Sequence, residues 1–401
     1  MRIGDTLYFD YQATTPPDPE VLEKMRPWQA ESFGNPHSVD HIAGWRAGQA
    51  VESAAASIAK LIGADPDEII FTSGATESNN LALLGIGRRA AFNERRRRVV
   101  IGPIEHKSVR ALSPVLARQC DLQTQRIAVD HDGVLLLDAL REIITGSDVL
   151  LVSVMAVNNE IGAIQPVEDI AAIAHEGGAL FHCDAAQAPC AIDVSRLAAH
   201  ADLISLSGHK MYGPKGIGVL YARREIHDQI EPLIYGGGQQ GGLRSGTVPV
   251  PLCVGMAAAA DRFAQAGAER ERRTVSTLRD RFVQGLTNAD ITFALNGPAA
   301  DRRHPGNISV RFPGYDAHEI LGALQPRLAA STGSACTTGT PEPSYVLREI
   351  GLTDEEAIST IRFSLGRFTT ADDVDEAARL VADVLSRLSA AEASASERAL
   401  I

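Results

Sequence analysis

Residues 180–187 read LFHCDAAQ and residues 202–210 read DLISLSGHK, and these two stretches decide the fold. Each contains a short apolar run without strict alternation, as expected of a strand that is buried on both faces of a sheet. The first run ends at Asp184, and the second is followed directly by Lys210. Because ligands of open α/β sheets bind beyond the carboxyl ends of the strands, we expect both side chains at one site.

Short apolar runs alternate with helical patterns on both sides of these stretches. Residues 45–62 show the apolar periodicity of a helix. Further strand-like runs occur at Glu68–Thr72, Val99–Ile101, Val149–Met155 and Gly218–Tyr221. This alternation is typical of an α/β fold with a mostly parallel sheet.

The pattern changes after about residue 260. A charged helical stretch, Ala268–Arg281, leads to short strands near Ile308–Phe312 and Thr360–Leu365 and to a final amphipathic helix. We therefore expect a large domain over residues 16–260 and a smaller α+β domain built from residues 1–15 and 261–401. The Ala-, Ser- and Glu-rich tail after Ser389 is expected to fray or to be disordered.

Composition excludes several classes of protein. The chain has 401 residues, enough for a large core, and a formal net charge of -12, which opposes nonspecific binding to nucleic acid. No stretch approaches the roughly 20 apolar residues that cross a bilayer, and the first residues lack the pattern of a secretory signal. We expect a cytoplasmic protein. The basic run Arg95–Arg98 is either a solvated loop or a local docking patch for an acidic partner.

The five cysteines are scattered and odd in number, which fits neither a disulfide framework nor a zinc site. No metal-ligand cluster is apparent, and most of the cysteines are predicted to be small buried hydrophobes. Cys336 differs because it lies in STGSACTTGTPEPSYVL, whose composition predicts an exposed loop. It is either an incidental surface thiol or a nucleophile. Soluble proteins usually avoid exposed thiols, which favours the second interpretation.

Lys210 and Asp184 together form a chemically meaningful pair. A lysine is most often a surface charge, but a desolvated lysine forms a Schiff base with an aldehyde cofactor. Asp184 is either a turn or helix cap, or the carboxylate that keeps a pyridine nitrogen protonated. Gln187, on the same turn as Asp184, is within reach of the phenolic oxygen of such a cofactor. The pairing is the one that pyridoxal phosphate (PLP) chemistry requires.

Residues 68–83, EIIFTSGATESNNLAL, read as a strand, a turn of small residues and the start of a helix. Free backbone N–H groups at such a helix start favour a phosphate. Ser73 and Thr76 are alternatively plain helix caps. Ser207 and His209 are candidates for further phosphate donors.

Three further polar residues are placed for contact with ligand. His106 follows a strand and is either structural or stacked on the cofactor ring, where it exchanges protons. Arg362 forms either a buried salt bridge or a fork that binds an amino-acid carboxylate. Asn159 is a candidate to add a hydrogen bond to the same carboxylate.

The combination of motifs resembles the cysteine desulfurases of the NifS/IscS type, which are PLP-dependent members of the class V aminotransferases. The resemblance runs from about Tyr8 to about Leu388. It is carried in chain order by LYFDYQATTP, FGNPHS, FTSGATESNN, EHKSV, VNNEIG, HCDAAQ, SLSGHKMYGPKGIG, GGGQQGGLRSGT, STGSACTT, EPSYVLR and IRFSLGRFT. It implies the aspartate-aminotransferase-like fold, with a mainly parallel seven-stranded sheet in the large domain and the catalytic-cysteine loop, residues 331–343, in the small one.

The resemblance also implies a role for each site residue. Lys210 would hold PLP and move the α-proton, Asp184 and Gln187 would contact the ring, and His106 would stack on it. Asn159 and Arg362 would bind the substrate carboxylate, and Cys336 would take the sulfur. The phosphate would be held by Ala75, Thr76, Ser207 and His209, with Thr247 reaching the site of a partner subunit in a homodimer.

The implied reaction converts L-cysteine to L-alanine and leaves a persulfide on Cys336 for an acceptor protein. Acceptors in iron–sulfur cluster assembly, tRNA thiolation and DNA phosphorothioation all remain open, because the tail after Leu388 does not resemble the segment by which housekeeping members dock their scaffold. Two rival hypotheses remain. One is an aminotransferase or selenocysteine lyase of the same fold, and the other is a noncatalytic sulfur-relay or assembly protein that retains the fold.

Overall fold

The computed structural model describes residues 1–93, 96–146, 148–265, 267–333 and 342–399. Its strands are β1 (Arg2–Ile3), β2 (Thr6–Tyr8), β3 (Ile69–Thr72), β4 (Arg98–Ile101), β5 (Gln123–Arg126), β6 (Val149–Met155), β7 (Leu180–Asp184), β8 (Leu203–Ser207), β9 (Gly218–Ala222), β10 (Ala294–Leu295), β11 (Asn307–Arg311), β12 (Leu328–Ala329) and β13 (Thr360–Ser364).

Helices connect most of these strands. They are α1 (Pro19–Ala30), α2 (Ile42–Ile62), α3 (Ala75–Asn93), α4 (Lys107–Arg110), α5 (Ser113–Cys120), α6 (Leu137–Ile144), α7 (Val167–Glu176), α8 (Ala188–Ala191), α9 (Leu197–His200), α10 (Val250–Phe263), α11 (Gly267–Asn288), α12 (Ala317–Leu324), α13 (Tyr345–Glu349), α14 (Asp354–Ile358) and α15 (Ala371–Ala399). Local chemistry explains several boundaries. For example, Gly63 caps the C-terminus of α2, where its left-handed φ of 75° suits a residue without Cβ.

The central sheet has seven strands in the order β3-β9-β8-β7-β6-β4-β5. Strand β9 runs antiparallel to both of its neighbours, and the remaining pairs are parallel. The predicted α/β class with a mainly parallel seven-stranded sheet is confirmed. The edge strand β5, QTQR, was not predicted because its residues are polar and give no apolar run.

Two smaller sheets complete the structure, in the orders β1-β2-β12 and β10-β11-β13. Leu7 and Phe9 from the N-terminus pack in a core whose other members all come from Val275 onwards. The division of the chain into domains at residues 15/16 and 260/261 stays a prediction.

The structure corrects two expectations. The tail after Ser389 is helical and not disordered, because α15 continues to Ala399; its alanines and long charged residues favour helix, and no glycine or proline interrupts it. The basic run is also not a solvated loop throughout. Arg98 begins β4 and pairs with Asp148, and Arg96 donates to backbone oxygens, among them that of Gly177; Arg95 lies outside the described residues.

None of the helices in the described part of the chain is both long enough and apolar enough to cross a membrane. The carboxyl ends of the parallel strands β6, β7 and β8 meet the first turn of α3, and this edge of the sheet carries the site.

Candidate active site

A cavity of about 670 Å³ opens at this edge of the sheet. Of the predicted site residues that the structure describes, all line it except Thr247. The predicted residues that line it are Ala75, Thr76, His106, Asn159, Asp184, Gln187, Ser207, His209, Lys210 and Arg362. The structure thus brings together residues that span nearly 290 positions of the sequence.

Asp184 is a buried carboxylate without a cationic partner among the described residues. Its Oδ2 accepts a hydrogen bond from Asn79 Nδ2 at 2.7 Å, and its Oδ1 accepts one from the backbone N–H of Ala186 at 3.0 Å. The bond from Ala186 is a turn contact, which was the alternative role predicted for Asp184. Both donors are neutral, so the place of a cationic partner at this carboxylate is not taken by any described residue.

Lys210 follows β8 and lines the cavity. Its Nζ donates to the backbone oxygens of Gln12 and Ala13, the latter at 2.8 Å. Burial, and then the positive charge of Arg362, lower the pKa of Lys210 from 10.5 to about 8. The neutral, nucleophilic form of this amine is therefore far more populated near physiological pH than it is for an ordinary lysine, although the protonated form still predominates.

The turn before α3 leaves space for an anion. Gly74 has a φ of 151°, a backbone conformation that a side chain would strain, and no atom would contact a Cβ added there. Ala75 and Thr76 begin α3, whose first backbone N–H groups lack helical partners. Ser207 and His209 come to the same cavity from the end of β8. The arrangement suits a phosphate group.

His209 is neutral at physiological pH. Burial, followed by the positive charges of Lys210 and Lys215, lowers its pKa to about 4. Its Nδ1 lies 3.1 Å from Thr14 Oγ1. We infer that His209 contributes a hydrogen bond and not a charge to an anion in this part of the cavity.

An ion pair that the sequence did not reveal stabilises the same turn. Glu77 accepts a hydrogen bond from the backbone N–H of Ser73 at 2.7 Å and another from Arg244 Nε at 2.9 Å. Burial opposes ionisation of Glu77, but the bonds from Arg244 and Ser73 outweigh it and lower the pKa of the carboxyl. Arg244 therefore connects the glycine-rich segment 236–247 to the turn.

His106 has a structural role in addition to its place in the cavity. Its Nδ1 accepts from the backbone N–H of Ser108 at 3.1 Å and so caps α4. Burial lowers the pKa of His106, although the charge of Asp184 opposes this. The neutral ring thus carries its proton on Nε2, because Nδ1 acts as an acceptor.

Arg362 lies in the cavity wall, almost completely buried, and is already paired. Its Nη2 donates to Asp10 Oδ1 at 2.7 Å and to Ser331 Oγ at 2.9 Å, and its Nη1 donates to the backbone oxygen of Asn159 at 2.8 Å. Its Nε has no acceptor among the described residues. Arg362 therefore forms a buried salt bridge, which was one of its two predicted roles, and its Nε is left as a donor for a ligand.

Two buried acids that do not line the cavity were also missed. Glu105, fully buried, accepts from the backbone N–H of Met155 at 2.8 Å, and burial raises its pKa well above the ordinary value. Glu160 accepts from Ser344 Oγ at 2.5 Å, and burial raises its pKa as well. Neither acid had a local sequence signal, because their burial depends on segments far away in the chain.

Two predicted residues remain apart from the others. Thr247 is exposed and does not line the cavity of its own chain. Cys336 lies outside the described residues. The remaining cysteines, Cys120, Cys183, Cys190 and Cys253, are free thiols that are buried or half-buried, as predicted for small core residues.

The fold and site define an α/β enzyme with a lysine and a carboxylate at the carboxyl edge of its sheet. A family model described as aminotransferase class-V matches residues 7–377. The chain belongs to this family, whose members are PLP enzymes. The resemblance inferred from the sequence motifs is thereby confirmed.

Several relatives are similar to this protein over almost its whole chain. The cysteine desulfurase IscS of Rickettsia bellii (strain OSU 85-389) is 44% identical over 382 residues, which are 95% of this chain and 92% of the relative. The solved structure of a NifS-like protein has a TM-score of 0.87 and 35% identity, covering 95% of this chain and 99% of that one. SspA in complex with cysteine has a TM-score of 0.78 and 37% identity, covering 91% of this chain and 100% of that one.

Proposed function

We propose that this chain is a PLP-dependent cysteine desulfurase, which converts L-cysteine to L-alanine and transfers the sulfur to Cys336 as a persulfide. The observation that carries the proposal is the position of Lys210 and Asp184 in one cavity, the first with a lowered pKa and the second without a cationic partner. The names of the relatives, cysteine desulfurases among them, support the choice of substrate and reaction.

The cavity fits the cofactor. Asp184 would pair with the pyridinium, Gln187 would reach the phenolic oxygen, and the turn at Gly74 would receive the phosphate. When bound, PLP supplies an electron sink for the carbanion formed at the substrate α-carbon. Lys210 then moves the α-proton, for which its pKa of about 8 is well matched to neutral pH.

The substrate would be held by its carboxylate. Arg362 and Asn159 face the cavity from neighbouring segments, and Arg362 Nε has no acceptor among the described residues. The thiolate of Cys336 attacks the substrate sulfur, and the bond between Cβ and sulfur breaks. Its electron pair remains with the carbon fragment, which takes up protons and leaves as alanine.

The other cysteines are poor candidates for the nucleophile. Burial raises the pKa of Cys190 and of Cys253 to about 12, and it raises the pKa of Cys120 and Cys183 as well. A thiol must ionise to attack sulfur, so these four would react slowly at neutral pH. This supports the assignment of Cys336, which we place on the loop 331–343 of the small domain, residues 1–15 and 261–401.

We further propose a homodimer in which Thr247 contacts the phosphate bound by the partner subunit. Its exposed position outside its own cavity supports this. Phe33 and Trp45 are large apolar side chains with 80% and 57% exposure, which a second subunit would cover. The acceptor protein, its pathway and the cytoplasmic location stay predictions.

The test is a paired assay of the purified protein with L-cysteine. Alanine is quantified, and the Cys336 peptide is examined by mass spectrometry under limiting reductant for the mass of one added sulfur. We expect both products from the native protein and neither from Cys336→Ser. Lys210→Ala should lose both the cofactor absorbance and the activity.

Three results would contradict the proposal. Alanine without the adduct would indicate a lyase that releases sulfide directly. Transaminase activity that survives Cys336→Ser would favour an aminotransferase. Sulfur transfer that survives Lys210→Ala would favour a noncatalytic relay protein.

A further inference from the structure

Gln12 is a buried glutamine in the wall of the active-site cavity, and only one end of its side-chain amide is hydrogen-bonded. The residue is 2% exposed, and its Oε1 accepts a hydrogen bond from Asn307 Nδ2 at 2.6 Å. Its Nε2 has no acceptor among the described residues. A buried N–H group without a partner costs free energy, so its persistence calls for a ligand that satisfies it.

The orientation of this amide is determined by its neighbours. Arg303 can only donate hydrogen bonds, and its Nη1 donates to Asn307 Oδ1 at 3.0 Å. Asn307 must therefore present Nδ2 on its other side, where it donates to Gln12 Oε1 and to the backbone oxygen of Glu160. Because Oε1 of Gln12 faces Asn307, its Nε2 must face away from Asn307. A flipped amide would place two N–H groups against each other.

The backbone of Gln12 locates the residue beside the reacting groups. Its carbonyl oxygen accepts from Lys210 Nζ and from Gln187 Nε2, the latter at 2.9 Å. Its N–H donates to Ser364 Oγ at 3.0 Å. Ser364 and Arg362 are two positions apart on β13, so their side chains point to the same face of that strand.

Gln12 Nε2 and Arg362 Nε are both buried donors without acceptors among the described residues, and both residues line the same cavity. The acceptor that suits a neutral N–H group beside a guanidinium is an anionic oxygen, and a carboxylate supplies two. We propose that Gln12 is a substrate-binding residue whose Nε2 donates a hydrogen bond to the α-carboxylate of the amino acid. The proposal rests on the proposed function only in taking an amino acid as the ligand.

The hydrogen bonds from Arg303 to Asn307 and from Asn307 to Gln12 fix the orientation of the Gln12 amide before a ligand binds. Asn307 is fully buried and Arg303 is 6% exposed, so neither side chain can readily turn toward solvent. Prearrangement lowers the entropy lost when the ligand binds. Asp10, which also lines the cavity, accepts from Arg362 and would repel a carboxylate, so the neutral donor of Gln12 strengthens the site without adding charge.

The experiment compares two ligands of the holoenzyme by calorimetry: L-alanine, and L-alaninamide, whose carboxylate is replaced by a neutral amide. A hydrogen bond to a charged group contributes more than one to a neutral group. Gln12→Leu should weaken binding of L-alanine about 10- to 100-fold and binding of L-alaninamide about threefold or less. Gln12→Glu, which retains the acceptor for Asn307, should also weaken binding of L-alanine selectively.

The matched control is Gln165→Met. Gln165 is a buried glutamine that does not line the cavity, and both ends of its amide are paired, with Leu135 N–H and with the backbone oxygen of Gly133. Its variant should bind both ligands as the native protein does. The affinity for PLP and the absorbance maximum of the cofactor, measured in parallel, should be unchanged in both Gln12 variants.

Several results would overturn the proposal. These are equal losses for the two ligands, no loss in either Gln12 variant, or a native protein that does not prefer L-alanine. A fall in PLP affinity without selective loss of L-alanine would instead assign the Nε2 donor to the cofactor. Failure of the proposed function is distinguishable, since it would appear as absence of alanine formation from L-cysteine in the native protein.

Discussion

The side chain of Asn79 donates a hydrogen bond to Asp184, with 2.7 Å between Nδ2 and Oδ2, across 105 positions of the sequence. The same Nδ2 donates to Ser108 Oγ at 2.8 Å, and Ser108 Oγ lies 2.8 Å from His106 Nδ1. Asn79 therefore connects Asp184, the carboxylate that would pair with the pyridine nitrogen, to His106, the histidine that would stack on the ring. Such contacts fix the orientation of groups that bind a cofactor.

We predict that Asn79→Leu lowers the affinity for PLP about tenfold or more, because Asp184 loses one of its two fixed donors. The measurement is an absorbance titration of the apoenzyme with PLP. Asn288→Leu, an exposed position on α11, is the control and should bind as the native protein does. An affinity within twofold of native for Asn79→Leu would contradict the role of Asn79.

The rate at which the apoenzyme takes up PLP should depend on the ionisation of Lys210. Its pKa is lowered from 10.5 to about 8 by burial and by Arg362, so the neutral amine increases as pH rises through about 8. Uptake measured by absorbance between pH 6.5 and 9.5 should follow this curve. A rate that is still rising steeply at pH 9.5 would indicate an ordinary lysine.

Glu105→Gln should stabilise the protein in alkaline solution. Burial raises the pKa of Glu105 well above 4.5, so the native state retains a proton that the unfolded state releases. Its contribution to the free energy of unfolding is fully present below about pH 4.5 and is lost as pH rises. Glutamine carries no such proton, so the advantage of the variant should be larger at pH 8 than at pH 5.

Urea denaturation of the holoenzyme at pH 5, 6.5 and 8 measures this difference. Glu68→Gln, at a partly exposed position, is the control. An advantage of Glu105→Gln that is constant over this pH range, or a loss of stability at pH 8, would show that Glu105 is ionised in the native state.

His182 should make the protein sensitive to acid. It is fully buried between Ser153 Oγ, 2.8 Å from Nδ1, and Ser205 Oγ, 3.0 Å from Nε2, and burial lowers its pKa to about 4 although Asp184 opposes this. Between about pH 6.5 and 4 the unfolded state binds a proton that the native state does not. Stability is therefore present above pH 6.5 and is lost as pH falls, by roughly 3 kcal/mol in total.

The check is the pH dependence of the free energy of unfolding for the native protein and for His182→Asn. The slope between pH 6.5 and 4.5 should be smaller in the variant, whatever its absolute stability. Identical slopes would mean that His182 is not the group that titrates. His304, also buried with a pKa of about 4, should account for part of the remaining slope.

Much of the fold was predictable because its signals are local. Strand β6 was predicted at its observed bounds, and the apolar runs quoted for β7 and β8 contain the observed strands, because strands buried on both faces read as nearly continuous apolar runs. The sequence did not predict the polar edge strand β5 or the continuation of α15 to Ala399. Edge strands need no apolar run, and helix propensity in a polar tail gives no periodic pattern.

Sequence alone determined the residues that carry charge and chemistry: Asp184 at the end of one strand, Lys210 just after the next, and the small-residue turn before α3. Only the tertiary structure decided which of their polar atoms are occupied. The deciding hydrogen bonds join positions from 105 to 352 residues apart in the sequence: Arg362 with Asp10, Asn79 with Asp184 and Asn307 with Gln12. Hydrogen-bond partners and burial depend on how distant segments pack, and no local pattern of residues encodes that packing.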